Sequence, residues 1–353
     1  MSGEFITLTR NDPEFSSHLL GTFSKTRRAL PVETYNADTS RERVTFQIVN
    51  VDEIASPSWA RVYLKSCRPE LALLALGPAL CAWLAHDGPM EPWTRWPSWL
   101  ALLGIFFLQT STFLFTDVQD HLRGADRLNR RRGSQVIQRG WVTASAMRRW
   151  AWFNLSLAVL FGIPAFLLSP GPLLLICGLA GLALLVLLRG WGTRWGFCDL
   201  AILLLFGPLL TIGVAQASFG QWSAKDLLLG LAFGATTLWV FQLRQFENLF
   251  RANPEGFRTG IGYWNFDTAR WFCIAEGFAL LCLHPLVAVA FGVPLGLLTV
   301  LPLVSAPLIV LLHKLYRAAS PLSSSLVGAS RWAVAAQALW ALWWFAVLGE
   351  PWL

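Results

Sequence analysis

The chain has 353 residues, of which 55% are hydrophobic and only 14% are charged. Soluble domains carry about a quarter charged residues, so this composition excludes an ordinary soluble protein and favours a protein buried in lipid. The formal net charge is +7. The charged residues lie between apolar stretches, which is typical of membrane loops and argues against a nucleic-acid partner. The six cysteines are scattered without a C-x-x-C pair, so neither a disulfide framework nor a zinc site is expected.

The first part of the chain, residues 1–59, is polar and holds no apolar stretch of the kind found in a signal peptide. Residues 44–51 alternate between apolar and polar side chains, which predicts one short strand. The remainder is rich in Ser, Thr, Asn, Asp and Glu, a composition that favours disorder. We therefore predict a soluble, partly disordered N-terminal tail over 1–59 and a membrane domain over 60–353.

Apolar stretches long enough to cross a bilayer, about 20 residues each, follow one another along the membrane domain. They occupy residues 70–87, 97–117, 148–168, 171–189, 196–217, 226–246, 270–287, 289–313 and 330–349. The sequence therefore predicts an all-α, polytopic membrane protein with about nine transmembrane helices. Gly292 and Pro294 make the division between the seventh and eighth spans the least sharp.

The distribution of Lys and Arg predicts how the chain crosses the membrane. If residues 1–69 are cytoplasmic, nearly all basic residues of the loops face the cytoplasm, and only Arg95 and Lys225 fall on the opposite side. This is the bias of the positive-inside rule. We therefore predict an integral membrane protein, of the inner membrane if bacterial, with a cytoplasmic N-terminus and a C-terminus on the opposite side.

A group of acidic residues stands at the cytoplasmic end of the second predicted span. Asp117 and Asp120 are three residues apart, which puts them on one face of a helix, and Gly124 can end that helix so that Asp126 folds back. Three such carboxylates can hold Mg²⁺, a hard cation that takes oxygen ligands from carboxylates, water and phosphate. The arginines that follow can bind a phosphate group; they are Arg123, Arg127, Arg130, Arg131, Arg132 and Arg139. The alternative is that these charges only mark where the helix leaves the membrane.

Two motifs near the start of the membrane domain resemble those of the UbiA superfamily of intramembrane prenyltransferases. One is Tyr63-Leu-Lys-Ser-Cys-Arg68-Pro69, which leads into the first span. The other is the acidic group Asp117-x-x-Asp120-x-x-x-x-Gly-x-Asp126, which resembles the first aspartate-rich motif of that superfamily. The resemblance covers roughly residues 60–350 and leaves the N-terminal tail outside.

Further motifs follow in the same order as in that superfamily. Gly196-Phe-Cys-Asp199, followed by Phe206-Gly207-Pro208, resembles a signature of its fifth helix, with Asp199 in place of Glu. The basic stretch that ends in Arg139-Gly140-Trp-Val-Thr143 is most similar to the 1,4-dihydroxy-2-naphthoate polyprenyltransferases of menaquinone synthesis.

The second aspartate motif of the superfamily is degenerate in this chain. Parts of the family pattern are kept, namely Arg244, Glu247, Arg258 and Thr259. Gln245 and Leu249 replace both aspartates. Because an amide binds Mg²⁺ far less well than a carboxylate and a leucine does not bind it, only Glu247, with Gln242 or Asn248, is left to hold an ion here.

The resemblance implies transfer of a polyprenyl group from an allylic diphosphate to an aromatic acceptor of the quinone-precursor type, within the membrane and with Mg²⁺ as cofactor. It implies four metal ligands, Asp117, Asp120, Asp126 and Glu247, of which the first two would be catalytic. It implies that the substrate diphosphate is bound by Arg123, Arg139, Arg244 and Arg258, with Asp126 and Glu247 beside them. Asp199 would position the acceptor or take its proton.

Two other functions stay open on the sequence alone. A UbiA-type terpene cyclase would use the aromatic content of 13% to stabilise a cation, and a non-catalytic paralogue would bind a prenyl lipid. No protein partner is predicted. Glu276, inside an apolar stretch, is either functional or paired with a polar neighbour. His284 is interpreted as structural. His121, beside Asp120, either contacts the diphosphate or, as is more common, is an exposed loop residue.

Overall fold

The computed structural model describes residues 4–85, 96–128, 133–169, 171–189, 197–248, 260–321 and 323–349. Contacts between these residues divide the chain into two compact units. The first unit comprises Met1–Pro69 and Phe107–Ala158, and the second comprises Glu70–Phe106 and Val159–Leu353.

Three strands and fifteen α-helices make up the regular structure of the described residues. The strands are β1 (Glu4–Thr9), β2 (Arg27–Tyr35) and β3 (Arg43–Asn50). The helices are α1 (Phe15–Leu20), α2 (Trp59–Cys67), α3 (Pro69–Leu84), α4 (Trp96–Leu122), α5 (Ala125–Leu128), α6 (Ala144–Leu168), α7 (Pro172–Arg189), α8 (Cys198–Leu205), α9 (Pro208–Phe219), α10 (Ala224–Asn248), α11 (Phe266–Ala290), α12 (Leu295–Leu298), α13 (Leu301–Val304), α14 (Ala306–Arg317) and α15 (Ala329–Gly349).

The N-terminal segment forms an antiparallel sheet with strand order β1-β3-β2. Alternate side chains of the central strand, Val44, Phe46 and Ile48, are buried and pack against Phe15 and Leu19 of α1. The strand predicted at residues 44–51 is confirmed as β3. The rest of the tail, expected to be partly disordered, also forms strands because β1 and β2 pair with the two edges of β3. Charged and hydroxyl side chains on these outer strands obscure their period-two pattern. The domain boundary at residue 59 stays a prediction.

Six described helices are long and apolar enough to cross a membrane. Two bent helix pairs can each count as one further span, which gives up to eight spans. The bent pairs are Trp59–Cys67 with Pro69–Leu84, at 53°, and Leu295–Val304 with Ala306–Arg317, at 41°. These helices confirm the predicted helical, polytopic membrane architecture. The count of nine stays a prediction, because the described residues give between six and eight spans.

Helix α10 is the central helix of the second unit, where it packs against α8, α9, α11 and α15. His284 of α11 is fully buried beside it. The indole N–H of Trp344 donates to Nδ1 of His284 at 3.1 Å, so the ring proton is on Nε2, which lies 2.9 Å from the hydroxyl oxygen of Thr236. Both ring nitrogens are therefore satisfied inside the core, which supports the structural interpretation of His284.

Small residues let α10 approach the break between α8 and α9 closely. A Cβ added to Gly234 would lie 3.0 Å from the Cα of Gly207, and one added to Gly230 would lie 2.8 Å from the backbone of Pro208. Gly230 and Gly234 are four residues apart and so form a G-x-x-x-G surface, which permits backbone contact between membrane helices. The Phe-Gly-Pro motif thus has a packing role in this chain.

We predict that Gly234→Ala destabilises the second unit by about 1–3 kcal/mol, because the added methyl group overpacks the contact with Gly207. The measurement is the thermal unfolding midpoint of the purified protein in detergent. Gly178→Ala is the matched control, since no atom of the described residues lies within 4 Å of a Cβ at that position. Equal midpoints for the two variants would contradict the close-packing interpretation.

Candidate active site

The acidic motif lies at the C-terminal end of α4 and in the short helix α5. Helix α4 continues past its predicted end at residue 117 to Leu122. Asp117 is 2% exposed and Asp126 is 1% exposed, whereas Asp120 is partly exposed. Gly124, with a φ of +83°, takes the left-handed conformation that terminates a helix, as predicted. The motif is therefore mostly an interior feature of the first unit.

Asp117 is held by a buried ion pair with Arg68. The Arg68 guanidinium donates to Oδ1 of Asp117, and both side chains are almost fully buried. The backbone N–H of Ser134 donates to the other carboxylate oxygen at 3.1 Å. Asp117 thus ties the end of α2 to the segment that follows α5. Arg68 belongs to the family-like motif that leads into the first predicted span, but its partner could not be deduced from the sequence.

Asp126 reaches the same turn from the other side. A Cβ added to Gly133 would lie 2.6 Å from Oδ2 of Asp126, and Gly133 has a φ of +71°. Only glycine readily adopts this left-handed backbone conformation and also leaves room for the carboxylate of Asp126 at this distance. Asp117 and Asp126 therefore both border the turn at residues 133–134.

The end of α4 is also fixed by the N-terminal sheet. Arg127 donates from Nε to the carbonyl oxygen of His121 at 3.0 Å and from its terminal nitrogen to that of Leu122 at 3.2 Å. The same terminal nitrogen is 2.6 Å from Oε1 of Glu42, and both side chains are 1% exposed. Burial lowers the pKa of Arg127, and the Glu42 carboxylate opposes that shift. His121 is itself buried and hydrogen-bonded to Leu19, so its interpretation as an exposed residue is wrong.

The predicted diphosphate-binding arginines have different surroundings. Arg123 and Arg139 are exposed. The Arg139 guanidinium lies 5.0 Å from the ring centre of Trp141, and the ammonium of Lys65 lies 4.6 Å from the same ring. Two cations therefore flank one indole in the first unit. The remaining predicted arginines of this motif, Arg130, Arg131 and Arg132, lie outside the described residues.

Asp199 of α8 belongs to a polar group inside the second unit. The amide Nε2 of Gln242 in α10 lies 3.4 Å from Oδ2 of Asp199 and 3.4 Å from Oε1 of Glu276 in α11. Gln242 is 1% exposed. One buried amide thus bridges two carboxyl groups from different helices. Sequence reasoning considered each residue separately and did not predict that they meet.

Glu247, predicted as a metal and substrate ligand, is bonded to the start of α15. One carboxylate oxygen accepts the backbone N–H of Ser330 at 3.0 Å, and the other accepts the Ser330 hydroxyl at 2.8 Å. A carboxylate at a helix N-terminus satisfies unpaired amides and complements the helix dipole. Arg244 lies one turn earlier on α10. The rest of the degenerate motif, Leu249, Arg258 and Thr259, lies outside the described residues.

The acids of the first motif do not form a complete metal site by themselves. Among the described residues, no three His, Cys, Asp or Glu side chains are close enough to hold one ion, and both oxygens of Asp117 accept protein hydrogen bonds. Mg²⁺ needs only one or two protein carboxylates when substrate phosphate and water supply its other ligands. The acids of the first motif therefore fit an ion that binds together with a phosphate-bearing ligand.

Comparison with solved structures identifies the fold. This chain is similar to a UbiA homologue from Archaeoglobus fulgidus bound to GPP and Mg²⁺, with a TM-score of 0.57 and 14% identity over 82% of this chain and 99% of the other. The chain is also similar to a UbiA homologue of that organism bound to DMAPP and Mg²⁺, with a TM-score of 0.54 and 15% identity over 81% of this chain and 99% of the other. A third structure, bound to Cd²⁺, has a TM-score of 0.53, 13% identity, and coverage of 82% and 99%.

At this level of identity the likeness defines the fold alone. The chain is an integral membrane protein with the UbiA-type helical fold. No family model and no curated protein matches the sequence.

We predict that Asp117→Asn destabilises the protein by about 3–5 kcal/mol, because Arg68 loses the negative charge that balances it in a buried site. Replacing both partners with leucine should recover much of that loss, since it removes both charges together. Thermal unfolding in detergent measures both effects, and Asp267→Asn, whose side chain is 73% exposed, is the control. Wild-type stability of Asp117→Asn would mean that the ion pair is unimportant.

We also predict that Glu42→Gln loosens the end of α4. The neutral amide leaves the buried Arg127 without its balancing charge, which costs about 3 kcal/mol. Hydrogen exchange followed by mass spectrometry should show faster exchange over residues 119–127 and over β3. Glu14→Gln removes an exposed carboxylate of the same sheet region and should leave exchange unchanged. Unaltered exchange in Glu42→Gln would contradict the proposed fixing role.

Proposed function

We propose that this protein transfers a prenyl group from an allylic diphosphate to an acceptor within the membrane. The observation that carries the proposal is the position of the acidic motif in a chain with the UbiA-type fold. Two neighbours of that fold are named as binding GPP or DMAPP with Mg²⁺. Both ligands are allylic diphosphates, so the comparison supports a diphosphate substrate of this kind.

The first motif provides the groups that such a substrate needs. Asp120 and Asp126 are the proposed ligands of a Mg²⁺ ion that arrives with the diphosphate, and Asp117 has the role of ordering the turn beside them. When bound, Mg²⁺ supplies positive charge that stabilises the departing diphosphate. Arg123 and Arg139 are exposed cations of the same unit and are proposed to bind phosphate oxygens.

The second motif has a smaller role in this proposal. Glu247 already satisfies the start of α15 through both oxygens, so the proposed role of this residue is structural. Arg244 and Arg258 are kept as proposed diphosphate contacts. The metal is therefore assigned to the first motif alone.

The acceptor is proposed to be an aromatic ring of the quinone-precursor type, such as a dihydroxynaphthoate. The support is the sequence resemblance to naphthoate polyprenyltransferases and the carboxyl group of Asp199 inside the second unit. We further propose that the N-terminus is cytoplasmic and the C-terminus lies on the opposite side, as the positive-inside rule indicates.

The test follows pyrophosphate release by purified protein in detergent, given geranyl, farnesyl or longer prenyl diphosphates with Mg²⁺. We expect release to fall by about a hundredfold or more in Asp120→Asn, because an electrostatic contact to the departing group is lost, and to stop on addition of EDTA. Asp267→Asn, an exposed carboxylate on α11, should behave as wild type.

The outcomes separate the competing functions. Release that survives Asp120→Asn at the wild-type rate contradicts the assigned site. Release without an acceptor that yields a cyclic hydrocarbon identifies a terpene cyclase. No release from any donor, in a protein that still binds prenyl diphosphate, identifies a non-catalytic paralogue.

A further inference from the structure

The group formed by Asp199, Gln242 and Glu276 has a chemistry that the diphosphate site does not use. All three residues belong to the second unit, at the first turn of α8 and on α10 and α11. Gln242 Nε2 lies 3.4 Å from a carboxyl oxygen of each acid. Its two N–H groups are directed at these oxygens, so the donor capacity of the amide is fully used.

Acceptor atoms are left over in this group. Among the described residues, Oε1 of Gln242 and Oε2 of Glu276 are buried and have no hydrogen-bond partner. Gln242 is only 1% exposed, so bulk water cannot serve its oxygen. Buried acceptors without a donor are costly, and natural proteins keep few of them outside functional sites. The group therefore lacks hydrogen-bond donors that a ligand could bring.

The backbone around the group is fixed in place. The indole N–H of Trp239, one turn before Gln242, donates to the carbonyl oxygen of Cys273, one turn before Glu276, at 2.8 Å. Both of these residues are buried, so α10 and α11 are joined next to the polar group. Asp199 and Glu276 each keep part of their surface exposed. A rigid set of acceptors is suited to orienting a donor group.

We infer that Asp199, Gln242 and Glu276 bind the hydroxyl group of an aromatic alcohol, which in the proposed function is the acceptor. Glu276 is the assigned proton acceptor, and Gln242 positions the two acids. The inference rests on the proposed function for the identity of the acceptor, but the binding of an aromatic hydroxyl can be measured without any prenyl transfer.

In the corresponding transfer step, the allylic C–O bond of the donor breaks and its electron pair leaves with the diphosphate. A carbon–carbon bond then forms from the ring electrons to the allylic carbon, while the hydroxyl proton passes to the Glu276 carboxylate and leaves a ketone. The ring regains aromaticity when the proton on the substituted carbon moves to that oxygen, and Glu276 releases its proton to water.

The test is equilibrium dialysis of the full chain in detergent, against empty micelles, with 1-naphthol and with 1-methoxynaphthalene. The two probes differ by one hydrogen-bond donor. We expect the wild type to bind 1-naphthol about tenfold more tightly than the ether, because a hydrogen bond to a buried acceptor is lost with the methyl group. Glu276→Gln should remove this preference, and Asp267→Asn on the same helix should keep it.

Equal affinity of the wild type for both probes, or no binding of 1-naphthol, would overturn the inference. So would a preference that survives in Glu276→Gln. If Glu276→Gln does not fold, Asp199→Asn at the partly exposed edge of the group takes its place and should weaken 1-naphthol binding selectively. Because no diphosphate is present, failure here is distinct from failure of pyrophosphate release.

Discussion

Charge buried in a membrane protein has to be balanced within the protein, because lipid supplies neither water nor counter-ions. The ion pair between Arg68 and Asp117 meets this constraint in the first unit. The turn at Gly133 and the N–H of Ser134 are arranged around it, and Asp126 borders the same turn. One acid of the motif is thereby committed to structure, and this is why the ligand-binding role is assigned to its neighbours.

Much of the interior of the second unit consists of neutral groups. Glycines bring the backbones of α10 and the α8–α9 break together, and His284 is held neutral between an indole and a hydroxyl. In the same unit, one oxygen of Gln242 and one of Glu276 are buried and have no hydrogen-bond partner among the described residues. A ligand that brings hydrogen-bond donors would satisfy these two buried acceptors, which is the physical basis of the inferred binding site.

The length of the apolar stretches was sufficient to predict the helical membrane architecture, since a lipid-spanning helix needs an unbroken apolar length that few other structures require. The β3 strand was predicted for a similar reason, because Val44, Phe46 and Ile48 alternate. The outer strands were not, because their stability comes from pairing with β3 and not from their own pattern. Long-range pairs such as Glu42 with Arg127 leave no periodic signal, so they could not be predicted from the sequence. The capping role of Glu247 could not be predicted either, because it depends on where α15 begins.

The degenerate second motif is consistent with the rest of the site when its charges are counted. Two further acids at the end of α10 would add negative charge close to Glu247, whose carboxylate already satisfies the start of α15. Such acids are tolerable only when a second cation balances them. If the metal is held by the first motif together with the diphosphate, no second cation is available, and neutral residues such as Gln245 avoid the repulsion. In the proposed function, neutral residues at positions 245 and 249 are therefore expected if the first motif alone holds the metal.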